Sequence, residues 1–265
     1  MQITLREYAY DTITDFIRKQ VASSGANGIV LGLSGGIDSA LTMKLCCDSV
    51  GSDKVTGLIL PDRPEKSKDE VDASEYAESL GVRFHRYVIS SPVSAVMEVF
   101  GSGNVRIAGN VKARMRMIFL YAYANSRNLL VAGTGNKSEL LTGYFTKYGD
   151  GGTDMLPIGD LYKTEVRKLA ERLSVPEVFL RKKPTAGLWE GQTDEGEMGL
   201  TYEELDSVLF CMENGFDPQG TVRETGLERE VVDRVFAMVR ASAHKRRPPP
   251  IPKIGIRTVG ADWIE

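Results

Sequence analysis

Cysteine and histidine are scarce: the 265-residue chain has three of the first and two of the second. A structural zinc site usually takes four Cys or His ligands at short spacing, and Cys46, Cys47 and Cys211 form no C-x-x-C pair. Zinc and dithiol redox chemistry are therefore set aside, and the thiols read as reduced, buried side chains of a cytoplasmic protein. An excess of charge of one sign is also lacking. Lys and Arg number 33 against 36 Asp and Glu, for a net charge of -3, which argues against a dedicated nucleic-acid or membrane-surface protein. The short run His244-Lys245-Arg246-Arg247 is the exception. No apolar run is long enough to span a bilayer. The opening MQITLREYAYDTITDF is amphipathic and charged, unlike the apolar centre of a secretion signal.

What is present is apolar patterning of the α/β kind. Hydrophobic residues make up 42% of the chain, enough for a sizeable core. Helical spacing over Thr4–Ala22 (Leu5, Tyr8, Ile13, Phe16, Ile17) predicts a helix. Gly28–Leu33 is apolar on both faces, as a central parallel strand would be. Strands are expected at Val55–Leu60, Arg83–Ile89, Leu129–Ala132 and Met155–Ile158, with helices at Asp38–Val50, Lys68–Leu80, Pro92–Phe100, Asn104–Ser126, Tyr162–Leu173, Tyr202–Glu213 and Glu228–Ala243. Residues 181–199 read as a polar loop, and the proline-rich tail from Pro248 as extended chain. Alternation of strand and helix implies one domain over 1–265, with 244–265 as its tail. The expected fold is a doubly wound, mainly five-stranded parallel sheet with helices on both faces.

The first strand runs into SGGIDS, Ser34 to Ser39. In a doubly wound sheet, ligands bind beyond the carboxyl ends of the strands. Two glycines let the backbone turn tightly and bring its amides to an anion, and the following helix adds its positive end. The sequence lacks the Gly-Lys-Ser/Thr of the commonest phosphate loop. Asp38 in the first turn suits the helix dipole by itself. Beside phosphates it would be repelled unless a cation stood between, and magnesium resolves the conflict.

SGGIDS resembles the loop of the pyrophosphate-loop ATP pyrophosphatases, which cleave ATP between its α and β phosphates. NVKARMRM (Asn110–Met117), the segment Gly133–Ala170 beginning GTGNKSELLTGYFTKYGDGGTD, KPTAGLWEGQTDE (Lys183–Glu195) and HKRRPP (His244–Pro249) narrow the resemblance to the ammonia-dependent NAD synthetase family. It extends over about residues 1–255 and is loosest at DRPEKSKDE after the second strand. It implies an adenine nucleotide α-hydrolase-like, Rossmann-like sheet. The implied reaction is amidation of deamido-NAD by ammonia with ATP, giving NAD, AMP and diphosphate through an adenylylated carboxylate. Carried over by matching motif, Gly32, Leu33, Ser34, Gly35, Gly36, Ile37, Asp38 and Ser39 would hold ATP, with Thr134, Lys163 and Thr185. Asp38 and Glu139 would bind Mg2+. Arg114, Lys147, Asp154, His244 and Lys245 would bind deamido-NAD. Asp38, Lys163 and Asp154 would be catalytic, with Asp154 as the base for ammonium. The resemblance also implies a homodimer in which the His244-Lys245 segment reaches the dinucleotide across the interface.

Each assignment has a plainer reading. Glu139 follows Asn136-Lys137-Ser138 and reads equally as a capping-box acid. Lys163 reads as part of a solvated helix face, although a lysine in a first helical turn is misplaced unless an anion is near. Of Arg114 and Arg116, one should face a site and the other solvent. FTKYGDGGTD reads as loop packing, and the basic run as a solvated helix end. His85 reads as a core or sheet-edge residue, and Trp189, in a glycine-rich loop, as part of a lid. Three other functions compete. A tRNA-thiolating relative would need reactive cysteines and a basic surface. A glutamine-hydrolysing one would need a further domain. A non-catalytic nucleotide-binding module would need neither Lys163 nor a second acid.

Overall fold

The computed structural model describes residues 3–100, 103–185, 187, 189, 191–259 and 262–263; parts of the expected 181–199 loop and of the tail lie outside them. In chain order the elements are α1 (Ala9–Ser24), β1 (Gly28–Gly32), α2 (Ile37–Val50), β2 (Val55–Ile59), α3 (Lys68–Ser79), β3 (Arg83–Arg86), α4 (Ser90–Phe100), α5 (Val105–Arg127), β4 (Leu129–Ala132), α6 (Lys137–Thr142), α7 (Lys163–Arg172), α8 (Glu177–Leu180), α9 (Asp194–Met198), α10 (Tyr202–Glu213), α11 (Pro218–Thr225) and α12 (Arg229–Ala241).

The sheet is parallel, in the order β3-β2-β1-β4. Successive side chains of a strand point to opposite faces, and β1 shows what that requires. Ile29 and Leu31 enter a core shared with α1, α2, α3, α7 and α8, whereas Val30 enters a second core with Leu58, Val93, Tyr123 and Val131, under α4 and α5. Both faces are thus covered, and β1 must be apolar throughout. A third apolar cluster joins α10 and α12 around the fully buried Tyr202, Leu205, Val208, Val232 and Val235.

The sheet has four strands rather than the expected five. Met155 makes only an isolated bridge to Ala132. The Gly133 amide donates to the Met155 carbonyl at 2.9 Å and the Asp154 amide to the Val131 carbonyl at 2.9 Å. Pairing then stops, for two local reasons. The Val131 amide donates to the Asp154 carboxylate at 2.7 Å rather than to a strand carbonyl. Two residues on, Pro157 has no amide to offer, and the chain turns, with Gly159 donating to the Leu156 carbonyl. Apolar character at 155–158 reflects burial of Met155 and Ile158 in the first core rather than a strand.

The third strand also ends earlier than expected, at Arg86, and the 181–199 stretch contains α9. Short helices at α6, α8 and α11 carry too few turns to show periodicity. Their caps were nevertheless in the sequence: Asp217 caps α11 with Pro218 in its first turn and left-handed Gly226 at its end. Among the described residues no helix is long and apolar enough to cross a membrane.

Candidate active site

The β1–α2 loop lies at the carboxyl end of the central strand. Gly35 has φ +78, and a Cβ there would meet the Asp69 carbonyl oxygen at 2.5 Å, so only glycine fits. The Ser34 amide and hydroxyl approach Ser39 Oγ at 3.3 and 3.1 Å, the Gly36 amide donates to Ser34 Oγ at 3.2 Å, and Ser39 Oγ donates to the Gly36 carbonyl at 2.9 Å. Two hydroxyls therefore brace the turn from within. The helix cap, Gly36, provides no side-chain bond, so the first-turn amides of α2 have no side-chain acceptor from their cap, the condition under which a helix start binds an anion.

β4 pairs with β1, Ala132 opposite Leu31, which brings the α6 start beside this loop. Asn136 and Glu139 form a capping box: the Glu139 amide donates to Asn136 Oδ1 at 3.1 Å and the Asn136 amide to Glu139 Oε2 at 3.2 Å. The plainer reading of Glu139 thus holds for one of its oxygens. The other, Oε1, stands 3.9 Å from Lys163 Nζ. Asn136 also donates to Asp38 Oδ1 at 3.0 Å, and Asp38 Oδ2 pairs with Lys163. Lys163 is only 2% exposed, so the solvated-face reading fails. Its ammonium also stands 5.3 Å from the Tyr202 ring centroid. Burial disfavours its charge, but Asp38 and Glu139 outweigh that and raise its pKa. Glu139 is pushed the same way, first by burial and then by Asp38.

This corner rests on polar groups that the sequence did not single out. The Lys163 amide donates to Ser138 Oγ at 3.0 Å, Ser138 donates to Asp206, and the Thr164 amide donates to Asp206 Oδ2 at 2.9 Å. Asp206, fully buried on α10, therefore fastens the starts of α6 and α7 together. Asp194, 3% exposed, accepts from the Tyr202 hydroxyl at 3.0 Å through Oδ2, while its buried Oδ1 has no hydrogen-bond partner. The only prior signal for Asp194 was its place inside the quoted KPTAGLWEGQTDE; an acid in an otherwise apolar helix repeat was the only one for Asp206.

The remaining expected residues form a second group. Arg114, on an exposed side of α5, donates to the Lys147 carbonyl at 3.3 Å, and Lys147 Nζ donates to the His244 carbonyl at 2.8 Å. Lys245 Nζ donates to the Gly143 and Phe145 carbonyls, both at 2.7 Å. Arg246 donates to the Leu140, Leu141 and Val239 carbonyls at 3.1, 2.6 and 2.8 Å, satisfying the ends of α6 and α12. The basic run is therefore no solvated helix end, since two of its members are structural staples. Arg116 differs from Arg114: its Nε donates to the Leu60 carbonyl at 3.0 Å, at the end of β2. Asp154 is held by Val131 and by the Tyr121 hydroxyl at 2.8 Å. Thr134 lies two residues past the end of β4, half-buried. Thr185 donates to the Gln192 carbonyl at 2.8 Å and accepts from the Gly187 amide at 3.1 Å, so it closes its own loop. His85 lies on the edge strand with its ring 5.5 Å from that of Tyr123, as a structural residue would.

The donor set at Asp38 and Glu139 is hard carboxylate oxygen, which suits Mg2+. Among the described residues no three Asp, Glu, His or Cys side chains form a ready-made metal cage. Two protein carboxylates with the rest of the shell from water and phosphate is the usual way magnesium is held at a nucleotide.

The family model for NAD synthase matches residues 9–249. The NH(3)-dependent NAD(+) synthetase of Methanocaldococcus jannaschii is 46% identical over 94% of this chain and 97% of its own, and that of Archaeoglobus fulgidus is 49% identical over the same shares. Among solved structures, the NMN synthetase of Francisella tularensis superposes with a TM-score of 0.82 at 35% identity, over 96% of this chain and all of its own.

Proposed function

The chain belongs to the NAD synthase family and is a ligase of NAD biosynthesis, and we propose that it amidates deamido-NAD with free ammonia while converting ATP to AMP and diphosphate. The observation that carries this reading is the meeting of Asp38, Glu139 and buried Lys163 beside an uncapped helix start. A carboxylate does not react with ammonia, because oxide would have to leave. Attack of a carboxylate oxygen on the α phosphorus of ATP releases diphosphate and leaves a mixed anhydride. Ammonia then attacks the acyl carbon, and AMP leaves with the bonding electrons.

The protein's part is alignment and charge neutralisation. Residues Gly32 to Ser39 cradle the phosphates through amides and the Ser34 and Ser39 hydroxyls, with Thr134 and Thr185 at the nucleotide. Lys163 faces the oxygens that gain charge as diphosphate and AMP leave. Asp38 and Glu139 would hold Mg2+, which would offset phosphate charge. Arg114, Lys147, His244 and Lys245 bind the dinucleotide. Asp154, exposed and pinned by two donors, takes the proton of ammonium. The exposed apolar residues Val99, Phe100, Val105, Ile107 and Ile118 of α4 and α5 support pairing of two copies through these helices.

The test is a product assay with ATP, Mg2+, ammonium and deamido-NAD. AMP, diphosphate and NAD in equal amounts is the expected result, and ADP as product sinks the reading. Because one structural neighbour is an NMN synthetase, nicotinate mononucleotide is run in parallel, and preference for it would reassign the substrate.

A further inference from the structure

Lys182 belongs to none of the groups above, yet it makes the densest set of contacts at the phosphate loop. Its ammonium donates to the Gly35 carbonyl at 2.9 Å and lies 2.8 Å from Asp69 Oδ1 and 2.7 Å from Asp72 Oδ2, both on α3. The Phe179 ring of α8 lies beneath it, 5.4 Å to the centroid. One cation thus joins the β1–α2 loop, α3, α8 and the start of the segment that carries Thr185.

The Gly35 carbonyl is informative because of what shares its peptide plane. In a trans peptide the carbonyl and the following amide point in opposite directions, and among the described residues no peptide is cis. Holding the Gly35 oxygen outward against Lys182 therefore fixes the Gly36 amide inward, where it donates to Ser34 Oγ. Glycines on both sides of that plane would otherwise let it flip at little steric cost. Without the ammonium, two carboxylates would also face a loop that has to receive phosphate.

We propose that Lys182 is a positioning residue of the ATP site: it locks the Gly35–Gly36 peptide with its amide turned into the loop and offsets Asp69 and Asp72. This rests on the reading that the 34–39 loop binds ATP phosphates. ATP binding weakens when Lys182 is removed because the amide is no longer pre-aimed, and the fold survives because the side chain is a surface-reaching bridge, 23% exposed.

The experiment is amide NMR and steady-state kinetics on the full chain, with Lys182→Met and Lys182→Arg. In the nucleotide-free protein, Lys182→Met shifts the Gly36 amide resonance and speeds its hydrogen exchange. The KM for ATP rises about tenfold or more, the worth of a charge-assisted bond, while the KM for deamido-NAD and the melting temperature hold. Lys182→Arg, which can still donate to the carbonyl, restores most of the loss. An unmoved Gly36 amide or an unchanged KM for ATP overturns the proposal. So does a fall in melting temperature with both KM values rising together, since that marks a merely structural bridge. The underlying reading fails separately, if Mg2+ and ATP added to the unaltered protein leave amides 35–39 unperturbed.

Discussion

Asp38, in the first turn of α2, meets both the Asn136 side-chain amide and the Lys163 ammonium. Asp38→Asn keeps the shape and removes the charge. Turnover should fall below detection while the melting temperature stays within a few degrees; activity retained would take magnesium out of the mechanism. Lys245 is a different kind of residue, because two of its donors already hold the 143–145 turn. Lys245→Ala should raise the KM for deamido-NAD more than that for ATP. It should also lower stability by about 1–3 kcal/mol, since two carbonyls lose a charged donor, which denaturant titration reads. Equal changes in both KM values would remove its assigned role at the dinucleotide. At this scale the sequence was legible where a residue's type conflicted with its place. A lysine in the first turn of a helix looked wrong for solvent and proved buried. Asp206 showed only an acid among apolar repeat positions, which does not name its partners: Ser138 and Thr164 lie 68 and 42 residues away.

At the scale of elements, the long pieces followed from apolar period and α6 from the capping-box reading of Glu139, whereas α8, α9 and α11 were not expected. β1 was legible because burial on both faces leaves no polar position; at α3 the structure adds a Ser67–Glu70 capping box at the start already expected. The presumed strand at 155–158 misled because apolar residues in a turn beside a strand look the same as a strand until Pro157 and the Asp154 side chain are placed. Asp206 adds a pH dependence to the α6–α7–α10 junction. Burial raises its carboxyl to about 6 from an ordinary 3.8, against the opposing pull of Ser138 and Thr164. Between those values the folded state holds a proton that the unfolded state has released, so stability falls as pH rises through that window. Asp206→Asn should flatten this part of the stability profile in denaturant titrations from pH 4 to 7. A slope the same as that of the unaltered protein would mean the carboxyl titrates normally.

For the molecule as a whole, strand order matters most. With β1 interior and β4 beside it, acids from two strand ends reach one corner. Ile118, half-exposed on α5, tests the proposed pairing of copies: Ile118→Glu should halve the mass seen by sedimentation, and an unaltered protein that sediments as a monomer would remove the pairing. The Arg246 staple has a consequence for the order of events during synthesis. All four strands have been made by Ala132, but two end carbonyls of the helix bearing Glu139, those of Leu140 and Leu141, are bonded by a side chain more than a hundred positions later. A growing chain would therefore finish this corner only near the end of translation, and so would not sequester cellular ATP until then. Hydrogen exchange at 137–142 in a chain stopped after Ala241 would register that delay.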